Sequence, residues 1–193
     1  MSRREAERCI RSGDVTVAGQ VITSPTFSVT LSEAASAIKV KGKLLLVNQK
    51  PQKIRVWLVH KLRGEVVSER DPKERPSLVD RLKRGLGIHL MPVGRLDMNT
   101  EGLIILTTDG SYARQLELPR NQVHRTYRVR VHGLLTPHKL KAMRSGITIN
   151  NTRYRGMQVK LEDTRRKYTW IRITCTEGKN RQIRNVLSHL GCK

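Results

Sequence analysis

One aspartate, one arginine and one glutamate stand in a short stretch closed by glycines: Val93-Gly-Arg-Leu-Asp-Met-Asn-Thr-Glu-Gly-Leu103. Gly94 and Gly102 allow a tight loop that residues with a Cβ would strain. A carboxylate on a rigid loop beside an arginine is held in its ionised form. In that form Asp97 suits a nucleophile, or a stabiliser of positive charge at a sugar anomeric carbon. Spacing alone equally allows a loop aspartate satisfied by backbone donors, so the residues by themselves leave the choice open. Elsewhere the chemistry is sparse. His60, His89, His124, His132, His138 and His189 form no cluster with carboxylates or cysteines at ligand spacing, so no metal is expected. No glycine-rich phosphate loop ending in Gly-Lys-Ser/Thr is present, and no cofactor is expected. Cys9, Cys175 and Cys192 are odd in number and far apart, which fits a reducing compartment and argues against structural zinc.

The charge balance names a class of partner. Lysine and arginine total 38 against 16 acidic residues, a formal charge of +22 over 193 residues. Such an excess repels itself unless a polyanion neutralises it, and nucleic acid is the commonest one. The cations run through the whole chain, which argues against a mere basic tail. Aromatic residues are 4% of the chain, too few for a general single-strand binder built on stacked rings. No apolar run approaches a membrane span and no secretory h-region opens the chain. Residues 1–12 are basic and helical, as a mitochondrial presequence would be, but Glu5 and Glu7 count against that reading.

The elements that would position the loop fall into two parts. Residues 1–47 read as a small module. Ser2 can cap a helix running to about Arg11, stopped by Ser12-Gly13. Arg4, Arg8 and Arg11 line one face of it, while Ala6, Cys9 and Ile10 suit packing on another. Val15-Thr-Val17, an Ala18-Gly19 turn and Val21-Ile22 predict a hairpin, and residues 38–43 a further strand and turn. The polar, proline-containing residues 48–53 read as a linker. Beyond it, strands are predicted at 54–59, 103–106, 127–131, 153–161 and 168–175. Helices are predicted at 77–84, from the Asp109 cap to 118, from Thr136-Pro137 to Ser145-Gly146, and at 180–190. Strands outnumber helices and often adjoin in sequence, so residues 54–193 are expected to form an α+β domain with a mixed, mainly antiparallel sheet.

Several runs carry a resemblance. Ser2-Arg-Arg-Glu-Ala-Glu-Arg-Cys-Ile-Arg-Ser-Gly-Asp-Val-Thr-Val-Ala-Gly19 resembles the helix–turn–strand core of the S-four-type (alpha-L) RNA-binding domain. That domain's preceding helix has no counterpart here, and Ala18 stands where it usually has Asn, so a partial module is expected. Gly94-Arg-Leu-Asp-Met-Asn-Thr-Glu-Gly-Leu103 resembles the signature loop of rRNA pseudouridine synthases of the RsuA/RluB type. Three further runs match that family in order: residues 60–77, which open the catalytic domain; Arg125-Thr-Tyr-Arg-Val-Arg-Val131, its tyrosine strand; and Glu177-Gly-Lys-Asn-Arg-Gln-Ile-Arg184, which precedes its last helix. Leu62 and Arg125 replace a proline and a lysine usual in the family.

The resemblance implies roles. Asp97 matches the essential aspartate, which attacks C1′ of a target uridine or of a glycal derived from it while the uracil detaches, turns and rejoins through C5. Tyr127 matches the tyrosine that stacks on the uracil, and Arg184 the arginine paired with the aspartate. Arg95 is expected to grip the backbone of the flipped nucleotide; Ile183 and Leu187 to wall the base pocket; and Arg4, Arg8, Arg11, Arg125, Lys179 and Arg181 to contact RNA. Since the base must leave its stack, the basic residues 70–84 could clamp flanking phosphates. Asp71-Pro-Lys-Glu-Arg-Pro76 and Met98-Asn-Thr-Glu-Gly102 lean towards large-subunit rRNA or its assembly intermediates, bound by a monomer with no membrane involved. The expected compartment is the cytoplasm of a bacterium, or the mitochondrial or plastid matrix of a eukaryote. The alternative is a catalytically silent assembly factor of the same fold. Asp97, Tyr127 and Arg184 count against it, while an end at Lys193, where the family usually adds a strand, counts for it.

Overall fold

The computed structural model describes residues 3–30, 37–45, 53–68, 71–165 and 167–193, with the backbone alone for Arg3, Lys83, Arg84 and Leu86. The chain divides into two compact units, Met1–Lys53 and Ile54–Lys193. The Ser2 cap, Arg70 and residues 48–52 of the expected linker lie outside the described residues.

The first unit holds helix α1 (Arg3–Arg11) and a sheet ordered β2-β1-β3-β4, made of β1 (Val15–Val17), β2 (Gln20–Val21), β3 (Ile38–Val40) and β4 (Lys43–Leu44). Both hairpins close in two residues, each with two positive φ angles: Ala18 at 49° and Gly19 at 85°, Lys41 at 51° and Gly42 at 76°. Such turns match the twist of the strands. They strain alanine more than asparagine, which gives the Ala18 departure a physical meaning. Ala6, Cys9 and Ile10 face the strands and, with Val15, Val17 and Ile38 among others, line an apolar cavity of about 370 Å³. Arg4, Arg8 and Arg11 are exposed.

The second unit runs β5 (Val56–Lys61), α2 (Leu78–Leu86), β6 (Met91–Val93), β7 (Gly102–Thr107), α3 (Gly110–Glu117), a 3-10 turn (Pro119–Asn121), β8 (Arg125–Val131), α4 (Pro137–Ser145), β9 (Ile147–Ile149), β10 (Thr152–Tyr154), β11 (Gln158–Thr164), β12 (Thr169–Cys175) and α5 (Gln182–His189). Its sheets are ordered β5-β7-β6, β11-β12-β8 and β10-β9. Every ladder is antiparallel; parallel pairing among the described residues is confined to one bridge, Val66 to Ser77. The unit is therefore α+β, as its strand-rich pattern implies. Side chains of Asp109 and Thr136 cap α3 and α4 by accepting from Tyr112 N at 2.8 Å and Lys139 N at 3.3 Å.

Two expectations need correction. The strand predicted at 153–161 is two strands, β10 and β11, broken at Gly156. A Cβ there would lie 2.0 Å from Arg144 O, so the backbone crosses the end of α4 and cannot continue its ladder. The first catalytic-domain strand runs to Lys61, two residues beyond the predicted end, because Lys61 still pairs with Gly102. Alternation then puts Lys61 on the inner face with Trp57 and Val59.

Two apolar clusters sit under the two larger sheets. Leu78, Leu90, Ile104 and Leu106 form one, with Trp57, Val59 and Leu96 packed on it. Val131, Met143, Ile171, Ile173, Val186 and Leu187 belong to the other, with Tyr127 and Ile183 packed on it.

Candidate active site

The loop carrying Asp97 connects two neighbouring strands. β6 enters it and β7 leaves it, with Val93 paired to Ile105. Gly94 and Gly102 take φ of 70° and 127°, both costly for residues with a Cβ. Gly94 N donates to Glu117 Oε1 at 2.7 Å, and Thr100 N donates to Asp97 O at 2.9 Å. These contacts close a turn that holds Asp97 at its start.

Beneath the loop lies Lys61, fully buried. Its ammonium donates to three carbonyls: Thr100 O at 2.5 Å, Leu62 O at 3.0 Å and Met98 O at 3.4 Å. Burial pushes its pKa below the ordinary value, against the opposing pull of Glu65, Asp97 and Glu101. Glu65 is also buried; it accepts from Leu62 N at 2.9 Å and from Arg81 Nε at 2.6 Å. Burial pushes the Glu65 carboxyl up, but Arg81, the Leu62 N–H and Lys61 together hold it below the usual range. The buried cation and carboxylate thus lock strand, loop and α2 together. Sequence reading assigned Lys61 and Glu65 no role of their own, and Arg81 only a place in the expected phosphate clamp. The signal was a lysine at an inward position of an apolar strand.

The N-terminal turn of α5 faces the same carboxylate. Arg184 Nε lies 3.2 Å from Asp97 Oδ2, and Arg181 Nη1 lies 3.1 Å from the same atom. Arg184 Nη2 also reaches Thr100 Oγ1 at 3.5 Å. A helix N-terminus favours an anion here as well. Both ion pairs fall on Oδ2, so Oδ1 has no hydrogen bond among the described residues, and the Asp97 side chain is 32% exposed. Tyr127 approaches from β8. Burial raises its phenol pKa first, then Cys175, and the Asp97 charge adds to the rise while Arg125 opposes it. The phenol therefore stays protonated at neutral pH.

The structure thus brings Asp97, Tyr127 and Arg184 to one place. The other expected contacts divide. Arg181, expected on RNA, is a second cation on Asp97. Arg125 is turned inward: its Nη2 donates to Leu116 O at 2.9 Å and closes the end of α3, so its charge is engaged by carbonyls. Lys179 pairs with Glu177 at 3.3 Å and donates to Arg153 O, tying down the segment before α5. Leu187 is a core residue, 5% exposed, so only half-buried Ile183 of the expected pair can wall an open pocket. Arg95 is exposed with no ion pair among the described residues. Within the expected phosphate clamp, Arg75 is bound bidentately to Asp71 and Arg81 to Glu65, which leaves that stretch less free charge than its composition suggested. Among the described residues no group of three or more His, Cys, Asp or Glu could hold a metal, and no helix is long and apolar enough to cross a membrane.

This arrangement, a carboxylate pinned through one oxygen beside a half-buried tyrosine, meets an independent finding. A family model described as RNA pseudouridylate synthase matches residues 55–189. An uncharacterised RNA pseudouridine synthase of Rickettsia felis is 37% identical over 192 residues, covering all of this chain and 80% of its own length. A ribosomal large subunit pseudouridine synthase B of Salmonella typhi is 35% identical, covering 98% of this chain and 65% of its own. A solved pseudouridylate synthase shares the fold at a TM-score of 0.65 with 23% identity, over all of this chain and 79% of that one. The chain belongs to the RNA pseudouridylate synthase family. It is an isomerase that converts uridine in RNA to pseudouridine.

Proposed function

We propose that this enzyme isomerises a uridine of large-subunit rRNA, with Asp97 as the carboxylate that engages the ribose of the extruded nucleotide. The observation that carries the chemistry is the asymmetry of Asp97: Oδ2 is pinned by two guanidinium groups, and Oδ1 accepts no hydrogen bond among the described residues. Pinning one oxygen fixes the carboxylate in a single orientation, the preorganisation that a nucleophile needs. Oδ1 attacks C1′ directly or acts on a derived glycal. The N1–C1′ bond breaks, the uracil turns, C5–C1′ forms and the C5 proton leaves for N1, so atoms and electrons balance without a redox step. Tyr127 stacks on the uracil and Ile183 flanks it. Exposed Arg95 grips the adjacent phosphates, and Arg4, Arg8 and Arg11 contact RNA through an alpha-L-like module.

The large-subunit target is supported by the name of the Salmonella relative together with the runs Asp71–Pro76 and Met98–Gly102. The enzyme acts as a monomer wherever that rRNA is made or assembled, which in a bacterium is the cytoplasm. The test of the chemistry is Asp97→Asn, which removes the charge and keeps the volume. Pseudouridine formation should vanish while RNA affinity stays nearly intact; turnover near the wild-type rate would remove Asp97 from the mechanism. Mapping pseudouridine in rRNA with and without the gene tests the target, and an unchanged large-subunit map would refute it.

A further inference from the structure

The sheet β11-β12-β8 has two faces. Tyr127, Val129 and Val131 turn one of them towards the core and Asp97, so Arg128 and Arg130 stand on the opposite, exposed face. Register completes a pattern there. Lys160 on β11 pairs with Arg172 on β12, and Arg172 pairs with Arg128 on β8. Three cations thus lie in one row across three strands, and like charges placed directly opposite are destabilising. The next exposed row places Arg130 opposite Trp170. Arg128 lies over the Trp170 ring at 4.3 Å, and Arg130 over Tyr168 at 5.6 Å. Glu162 bridges Arg128 at 2.8 Å and Arg172 at 2.6 Å. Asp163, opposite Trp170 in that second row, is the other carboxylate and pairs with Arg165 at 2.8 Å, so five cations against two carboxylates leave a net charge of three on this face.

Nothing in the chemistry at Asp97 uses this face, because the sheet itself separates the two. We infer that it is a second RNA-contact surface, which holds the phosphate backbone of a segment other than the one carrying the target uridine. Charge complementarity selects the occupant: the substrate is RNA, a polyanion whose phosphates relieve a cation row that is otherwise repulsive. The ring contacts hold the guanidinium groups of Arg128 and Arg130 in place; Arg128 commits Nε to Glu162, and its other N–H groups together with those of Arg130 suit phosphate oxygens. Since a short stem-loop seated at Asp97 cannot reach round the sheet, the face adds affinity only for longer RNA, as a second site on one ligand does.

The test compares a short stem-loop with a long rRNA fragment, using full-length protein carrying Lys160→Gln, Arg172→Gln and Arg130→Gln together. Binding by filter retention should weaken for the long fragment. Its log–log salt slope should become shallower by about 2, on the basis of roughly 0.7 per single-strand contact. Binding and turnover of the short stem-loop should be unchanged. An unchanged slope with the long fragment, or an equal loss with both RNAs, overturns the inference. A second variant, Glu162→Gln, raises the net charge of the face and should tighten long-fragment binding; unchanged or weaker binding overturns it too. Loss of polyglutamate binding with RNA binding intact would assign the face to an acidic protein instead. Retention does not depend on turnover, so an error in the target uridine leaves this comparison intact.

Discussion

Lys61→Met is the perturbation whose cost can be worked out most directly. Methionine fills much of the same space but donates nothing. Of the three carbonyls that lose the ammonium, Met98 O keeps the Gly64 N–H at 2.8 Å and Leu62 O keeps the Glu65 N–H at 3.4 Å. Thr100 O alone is left with no donor among the described residues. An acceptor stranded in this way costs about 1–3 kcal/mol. Thr100 is also the residue whose N–H holds Asp97 O, so the cost falls on the position of the carboxylate. At about 1.4 kcal/mol per tenfold, kcat should drop by roughly 5- to 150-fold with KM little changed. Tritium release from the uracil C5 position measures it. A folded variant with kcat within about twofold of wild type would refute the bracing role. The pH dependence supplies a second reading. Burial lowers the Lys61 pKa below its ordinary 10.5. Between the lowered value and 10.5 the unfolded chain therefore binds more protons than the folded one, and stability from this group rises with pH. Below that window the wild type carries a constant penalty that the Met variant lacks. The wild-type-minus-variant stability in urea should therefore grow as pH rises through the window; a decline there would mean that the folded state favours the charged ammonium.

Three further outcomes are expected. Arg181 and Arg184 share Asp97 Oδ2 and their side chains are about half exposed, 52% and 48%. Each single Met variant should lose about 0.2–1 kcal/mol, less than roughly sixfold in kcat, and the double variant more than the product; a single variant as poor as the double would show that one cation does all the pinning. The Tyr127 phenol, raised from 10.0, should titrate above that value in a wild-type-minus-Tyr127→Phe absorbance difference; titration at or below it would deny the burial. Replacing exposed Arg4, Arg8 and Arg11 by Gln should flatten the salt slope of rRNA binding by about 0.7 per lost contact and leave saturated turnover alone. An unchanged slope would remove α1 from the RNA interface.

Much of this site was legible because its signals are local. Glycines at 94 and 102, the Asp109 cap and the alternation of residues 127–131 act over a few residues, and the structure shows the elements they imply. The break at Gly156 was not legible, since its cause is Arg144 O, which is brought there by the crossing of α4. Charge was the least readable property. Arg75, Arg81, Arg125, Lys179 and Arg181 all read as free cations, and each is engaged by a carboxylate or a carbonyl.

By itself the amino-acid order determined the class of elements, the loop that bears Asp97, the polyanionic partner and, through ordered motifs, the family. These depend on residue type and short spacing, which a linear chain displays in full. Only the tertiary structure decided that Arg181 joins Arg184 on one oxygen, that Lys61 rather than a loop residue holds the loop from below, and that Lys160, Arg172 and Arg128 form a row on the face away from Tyr127. Electrostatic and hydrogen-bond partners are chosen by distance in space. The pairing of β8, β11 and β12, and the docking of α5 beside the loop, set those distances, and no spacing along the chain encodes them.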